Sequence, residues 1–161
     1  MVAKRELLDL LLSNARESTD DLARQLGTDA DEVAALVDEL EQEGAIRGYH
    51  AIVDWDEVDD EHVRAAVELN VELDRETSYD DIAGRIAGFS QVSSLHLMSG
   101  DHDFAVEIEG ESMHDVSRFV ADRIAPIPEV TQTVTHFVME TYKEHGVEFD
   151  DRDDDRLSVS P

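Results

Sequence analysis

Apolar residues in the first 44 positions recur at helical spacing and predict three helices. The third stripe has the clearest period, with apolar side chains at i, i+3, i+4 and i+7. The apolar positions of the first and third stripes are Leu7, Leu8, Leu11, Leu12, Val33, Leu36, Val37 and Leu40.

Polar residues and glycines mark where these helices begin and end. Thr19 is placed to cap the second helix, and Gly27 follows it, where helices commonly stop. Thr28 or Asp29 is placed to cap the third helix, which Gly44 ends. Two short helices joined by a glycine-containing turn, after a packing helix, predict a helix-turn-helix.

The pattern changes after Gly44. "GAIRGYHAIVDW" alternates apolar and polar residues, which predicts a wing or a linking strand. Residues 54–62, "DWDEVDDEH", contain six acids and no base, and they indicate a solvated linker. Residues 1–53 are therefore predicted to be a winged helix-turn-helix domain.

Residues 63–143 contain an internal repeat. "AVELNVELDRETSYDDIAGRIAGFSQVSSLHLM" is echoed by "AVEIEGESMHDVSRFVADRIAPIPEVTQTVTHFVM". Each half has an alternating strand, a Ser-x-x-Asp helix start and a Val-led strand. Strand–helix–strand twice over predicts a ferredoxin-like βαββαβ module, so the fold class is α+β.

An antiparallel sheet with both helices on one face leaves its other face without cover. We expect apolar residues on both faces, which implies a partner, most simply a second copy of the chain. The residues expected to supply them are Ala66, Leu69, Leu95, Leu97, Phe104, Val106, Phe137 and Val138.

Composition adds an extreme charge to this picture. The 161 residues include 40 acids and 13 Lys or Arg, for a formal charge of −27, and only two of the bases are lysines. Every segment has more acids than bases, including 144–161, which reads as a disordered acidic tail. Such charge strains a compact state in ordinary salt, but at about 1 M salt repulsion is screened beyond about 3 Å. The pattern favours a protein from a salt-accumulating cell over a merely acidic one.

Several classes of function lose support. The absence of cysteine removes disulfides, thiolate metal sites and cysteine nucleophiles. No long apolar stretch or secretion signal is evident, so a cytoplasmic protein without a membrane partner is expected. His102 between two aspartates, or His96 with His136, are weak metal candidates without a dedicated ligand cluster. No phosphate-binding loop or hydrolase motif occurs, so we expect no metal, no cofactor and no enzyme.

The order of the two modules resembles the Lrp/AsnC (feast/famine) transcription regulators. The resemblance rests on "NARESTDDLARQLG", "EVAALVDELEQEGAIRGYHAIVD", "SGDHDFAVEIEG" and "TQTVTHFVMETYK", and it covers nearly residues 1–143. The "THFVMETYK" ending resembles an archaeal and bacillar branch, and with the charge it suggests a source like a halophilic archaeon. The resemblance implies dimers, tetramers or octamers formed through the βαββαβ sheets. It also implies double-stranded DNA near promoters as a partner, and an amino acid as effector.

The third helix departs from the family pattern, because it has acids where typical members place Arg or Lys. Phosphate contacts normally come from Lys and Arg. Base edges could be approached without repulsion by a few small residues. The candidate DNA-binding residues are Lys4, Arg5, Arg16, Arg24, Thr28, Ala34, Ala35 and Arg47.

Three interpretations of the acidic helix remain open. In one, molar salt screens the acids and cations bridge carboxylate and phosphate, so that the helix still binds DNA. In another, the acids are a solvated face and specificity lies in the wing and arms. Alternatively, the module has lost DNA binding and is a protein-interaction scaffold.

Residues 98–104, "MSGDHDF", predict a strand, a turn and a strand. By resemblance, Asp103 would instead receive the α-amino group of an effector, with N–H groups near Gly100 taking its carboxylate. Alternation places Thr133 and Thr135 on one face of the last strand and His136 on the other, so a single pocket needs a bulge or another subunit. The candidate effector residues are Met98, Gly100, His102, Asp103, Thr133 and Thr135.

Overall fold

The computed structural model describes residues 3–58 and 61–149. Contacts between Cα atoms divide the chain into two compact units. Unit 1 contains the residues up to Val53 together with Lys143–Glu148, and unit 2 begins at Asp54 and continues to Tyr142. Within the described ranges, every helix is too short or too polar to cross a membrane.

Unit 1 contains the three predicted helices: α1 (Lys4–Ser13), α2 (Thr19–Leu26) and α3 (Ala30–Gln42). Their predicted apolar stripes meet in one core, although Leu12 at the end of α1 is 79% exposed. The buried members of this core are Leu7, Leu22, Ala23, Val33 and Leu40.

The helix boundaries follow from local hydrogen bonds. Ser18, rather than the predicted Thr19, caps α2, because its Oγ accepts a hydrogen bond from the Asp21 N–H at 3.1 Å. Gly27 ends α2 in the left-handed region with φ of +68°, which favours glycine. Asp29 caps α3 by accepting from the Glu32 N–H at 2.8 Å. Serine and threonine both cap helices, so the sequence alone left a one-residue ambiguity at α2.

The predicted strand after α3 is absent, because residues 47–54 have no regular structure. The strands of unit 1 come from the far end of the described chain, where β5 (Lys143–Glu144) pairs with β6 (Val147–Glu148). His145 and Gly146 have φ of +46° and +83°, as two-residue hairpin turns require. The prediction of a disordered tail from 144 was therefore wrong for 144–148, and residues 150–161 lie outside the described ranges.

The predicted solvated linker, 54–62, also contains local structure. Trp55–Glu57 forms a turn of 3₁₀ helix, capped by the Asp54 side chain. The Trp55 ring stacks on His62 with ring centroids 4.0 Å apart. The stacked rings of Trp55 and His62 thus bring the two ends of the 54–62 segment together, whereas its charge predicted only a solvated linker.

Unit 2 has the predicted βαββαβ order and confirms the α+β fold. Its four-stranded antiparallel sheet has the order β2-β3-β1-β4, with β1 and β3 at the centre. Ser78 and Asp81 form a reciprocal capping box at the start of α4. The elements are β1 (Val63–Val71), α4 (Tyr79–Ala87), β2 (Val92–Leu97), β3 (Phe104–Gly110), α5 (Met113–Phe119), its π-helical continuation (Val120–Ile124) and β4 (Val130–Phe137).

The two faces of the sheet differ more than the sequence suggested. Strand alternation and register place most of the expected apolar residues on the face that α4 and α5 cover. Ala66, opposite Glu107 and His136, lies on the other, open face. That open face is mainly polar, with Arg64, Ala66, Glu68, His96, Ala105, Glu107, Glu109, Val134 and His136.

The capping of α2 gives a direct test of this local structure. Ser18→Ala should lower the free energy of unfolding by about 1 kcal/mol, because the Asp21 N–H loses its acceptor. Thr19→Ala is the matched control and should change it by less than about 0.5 kcal/mol. Urea unfolding followed by circular dichroism measures both. A larger loss for Thr19→Ala than for Ser18→Ala would show that Thr19, and not Ser18, caps α2.

Candidate functional site

The surface of α3 divides into a buried face, two flanks and an outer stripe. Val33 and Leu40 lie at the centre of the buried face. At about 100° per residue, four exposed side chains point within about 40° of the opposite direction. We call them the outer stripe: Asp31, Ala35, Asp38 and Gln42.

On one flank, Lys4 of α1 holds two of the acids. Its Nζ donates to Glu39 Oε1 at 2.7 Å and to Glu43 Oε2 at 3.0 Å. The bond from Lys4 lowers the pKa of the Glu39 carboxyl, while the bonds to Glu39 and Glu43 raise the pKa of the Lys4 ammonium. A predicted DNA contact is therefore an ion-pair partner of the helix that was expected to read DNA.

Three further acids of the segment also have local partners. Asp29 caps α3, and Glu32 accepts from the Thr28 hydroxyl. On the other flank, Glu41 accepts from the Tyr49 hydroxyl at 2.9 Å. Burial, and then this hydrogen bond, raise the pKa of Tyr49. Five of the seven acids between Thr28 and Gly44 are thus bound within unit 1.

Two of the other predicted phosphate contacts are also paired with acids. Arg5 pairs with Asp9 at 3.0 Å, and Arg24 pairs with Asp21. Of the five bases in residues 3–53, only Arg16 and Arg47 lack a carboxylate within ion-pair distance among the described residues. Arg16 and Arg24 line one surface depression, together with Asn14, Glu17, Asp21 and Gln25.

The three small residues predicted near base edges occupy different positions. Ala35 is exposed in the outer stripe, whereas Ala34 is half-buried beside it. Thr28 is half-buried at the start of α3, and its hydroxyl is already bonded to Glu32. Ala35 is therefore the best placed of the three to approach a ligand.

In unit 2, Asp103 fastens the β2–β3 loop to the end of β1. Its Oδ2 accepts from the Val71 N–H at 2.8 Å, and its own N–H donates to the Leu69 carbonyl at 2.9 Å. The Met98 N–H donates to the Asp103 carbonyl at 2.8 Å and closes the loop. Gly100 within it has φ of +110°, a conformation that side chains disfavour. Asp103 is thus a structural residue whatever else it binds.

The remaining candidate effector residues lie on both faces of the sheet. Thr133 and Thr135 pair with Leu69 and Val67, so they lie on the helix-covered face. His136 lies on the open face, with Nε2 3.5 Å from Glu68 Oε2. His102 Nδ1 approaches the other oxygen of the same carboxylate at 3.6 Å. The β4 ladder has its irregularity near Asn70 and Val71, so no bulge brings the threonines and His136 to one face.

Sequence reasoning missed Glu68, which lies between the two histidines. The available signal was its position, a carboxylate at the polar phase of an alternating strand, two residues from Ala66. The suggested pair of His96 and His136 is not formed, because these residues lie on β2 and β4, the two edge strands. Among the described residues, no group of three or more His, Asp or Glu side chains is arranged to hold a metal ion.

Both units are similar to domains of known protein families. Residues 3–47 match a model for a winged helix-turn-helix DNA-binding domain, and residues 64–148 match the Lrp/AsnC ligand binding domain. The uncharacterized HTH-type transcriptional regulator YugG of Bacillus subtilis is 40% identical over 158 residues, which cover 97% of this chain and 95% of that protein.

The chain belongs to the Lrp/AsnC family.

More distant relatives agree over most of the chain. The leucine-responsive regulatory protein of Haemophilus influenzae is 25% identical, covering 86% of this chain and 83% of that protein. The fold resembles the transcriptional regulator NMB0573 of Neisseria meningitidis, solved as an L-Met complex. The TM-score is 0.71 at 20% identity, covering 88% of this chain and 90% of that one. As an Lrp/AsnC protein, the chain is a transcription regulator that combines a DNA-binding unit with a ligand-binding domain.

The pairing of Lys4 with α3 predicts a salt-dependent coupling. In a double-mutant cycle of Lys4→Met and Glu39→Gln, the coupling free energy should be favourable at low salt and shrink in molar KCl, where exposed pairs are screened. Because the pKa of Glu39 is lowered on folding, its contribution should hold above the ordinary glutamate pKa and be lost as pH falls. Urea unfolding at several KCl concentrations measures the coupling.

The matched control for this cycle is Arg16→Met combined with Glu39→Gln. Arg16 has no bond to Glu39, so the two changes should be additive. A coupling for Lys4 and Glu39 that is zero at low salt would contradict the assignment.

Proposed function

We propose that this chain is a homo-oligomeric regulator that binds specific promoter DNA through unit 1 and senses an amino acid through the 98–103 loop of unit 2. The observation that carries the proposal is the joint presence of a winged helix-turn-helix over 3–47 and the Lrp/AsnC ligand binding domain over 64–148. Binding by the first would be regulated by occupation of the second. Such regulation requires a different ligand affinity in each state of the assembly.

An amino acid is the effector that the loop chemistry and the relatives favour. Similar proteins include a leucine-responsive regulatory protein and one solved as an L-Met complex. Asp103 bonds Val71 through Oδ2, and a carboxylate has capacity for further donors, such as an α-ammonium group. Met98, Gly100 and His102 would surround that group, and we propose that Thr133 and Thr135 contribute from the partner's copy or from the edge of β4.

The open face of the unit 2 sheet is the proposed surface for self-association. It has charges of both signs, with Arg64 Nη1 3.3 Å from Glu107 Oε1 and Glu68 between two histidines. A two-fold arrangement can set such a face against itself with opposite charges in register. Exposed Ala66 lies among these groups and leaves room for close approach. A dimer is the smallest assembly that covers this face, and tetramers or octamers would be built from it.

Operator binding is proposed to rely on few phosphate contacts. Arg16 and Arg47 would contact phosphates directly, while Lys4, Arg5 and Arg24 would do so only by leaving their carboxylates. The charge of −27 further favours a protein that works in concentrated salt, from a source like a halophilic archaeon. At about 1 M salt, repulsion between the acids and DNA is screened beyond about 3 Å.

The two roles of Asp103 can be separated by substitution. Asp103→Asn keeps an oxygen acceptor for the Val71 N–H but removes the charge for an α-ammonium group. It should unfold near the wild-type temperature and lose stabilisation by added amino acid. Asp103→Ala loses both and should also be less stable by about 1–2 kcal/mol. Thermal unfolding with L-methionine, L-leucine and each other proteinogenic amino acid measures these effects.

Asp101→Asn, in the same loop, is the matched control and should respond like the wild type. Light scattering on each variant should give a dimer or larger mass, and a monomer would contradict the assembly. If an amino acid raised the unfolding temperature of Asp103→Asn as much as that of the wild type, Asp103 would not be part of the pocket. No shift of the wild type with any of these compounds would contradict an amino-acid effector.

A further inference from the structure

The outer stripe of α3 is the part of this helix that remains available to a ligand. The acids on its flanks are held by Lys4, Thr28 and Tyr49. Asp31 and Asp38 have no hydrogen bond or ion pair with the described residues. They lie seven residues apart, about 10 Å along the helix, with Ala35 between them. Their carboxylates therefore point to the same side of α3 but do not form one cluster.

The chemistry of this stripe differs from that of a phosphate-binding helix. Its polar groups are two carboxylates, which only accept hydrogen bonds, and the amide of Gln42. Carboxylates are repelled by phosphates, so they add nothing to sequence-independent affinity. They gain energy only where DNA presents a hydrogen-bond donor, and in the major groove the donors are the amino groups of cytosine and adenine.

The two amino groups are not equivalent for a carboxylate. Adenine presents its amino group beside the N7 acceptor, which repels a second carboxylate oxygen. Cytosine presents its amino group without that neighbouring acceptor. Asp38 lies in the central part of the stripe, about 4.5 Å along the helix from Ala35 and about 6 Å from Gln42. These separations match one to two base-pair steps.

We propose that Asp38 is a specificity-determining residue that accepts a hydrogen bond from the amino group of a cytosine in each half-site. Gln42 pairs with an adenine nearby, and the Ala35 methyl group contacts a thymine methyl group. In this arrangement the acidic helix selects bases and leaves phosphate binding to arginines outside it. The inference rests on the proposed function, because it requires that unit 1 binds specific DNA.

Selection from a pool of randomised duplexes tests the assignment. Wild type, Asp38→Asn and Asp38→Ala are compared at one KCl concentration, and the bound sequences are determined. The wild type should select cytosine at one position of each half-site, by roughly 5- to 150-fold over other bases. Asp38→Asn should change that position towards adenine, since an asparagine amide pairs with the adenine N6 and N7 groups. Asp38→Ala should remove the preference, and the remaining positions should be unchanged.

Glu41→Gln is the matched control, because Glu41 lies on the flank and is bonded to Tyr49. It removes the same charge and should leave the selected sequence unchanged. Each variant is exposed at the changed position, and circular dichroism confirms that it is folded. Identical base preferences in wild type and both Asp38 variants would overturn the inference alone. If the folded, oligomeric wild type selected no sequence, the proposed DNA binding would fail and the inference with it.

Discussion

The excess of acids over bases is the constraint on which the rest of this structure depends. A chain with 40 acids and 13 Lys or Arg has too few cations to neutralise its carboxylates in ion pairs. Among the described residues, no charged side chain is buried. Many acids instead accept hydrogen bonds from hydroxyls, N–H groups and a few cations that bind more than one carboxylate. Lys4 bonds two glutamates at once, and helix caps use Asp29 and Asp81. Local hydrogen bonds of this kind do not require a net balance of charge.

This constraint changes how a DNA-binding unit can work. In most such proteins, cations around the reading helix provide affinity, and base contacts provide specificity. Here three of the five bases in residues 3–53 are engaged with carboxylates, and the outward surface of α3 presents hydrogen-bond acceptors. Discrimination between sequences would then account for an unusually large share of the binding free energy. Asp103 in unit 2 likewise has two roles, because the carboxylate that closes the loop by bonding the Val71 N–H would also bind the effector.

The fold was predictable from the sequence because its signals are local and repeated. The stripe on α3, Gly27 and the Ser-x-x-Asp starts at Ser78 and Ser112 each specify an element without distant information. Local errors were small, such as the one-residue shift of the α2 cap to Ser18, and the larger errors came from long-range contacts. Residues 143–148 form a hairpin in unit 1, far along the chain from Val53, and composition describes only their polarity. The partners of Lys4 and Arg24 were equally hidden, since an exposed base near an expected DNA surface looks free until a structure shows the carboxylate beside it.

The salt dependence of operator binding tests the central claim most directly. The logarithm of the affinity for a selected DNA fragment is plotted against the logarithm of KCl concentration, from about 0.5 M to several molar. If only Arg16 and Arg47 of each protomer neutralise phosphates, a dimer has four such contacts and a slope of about −4 or shallower. A slope near −9 would contradict the account, because it would mean that Lys4, Arg5 and Arg24 leave their carboxylates to bind phosphates as well.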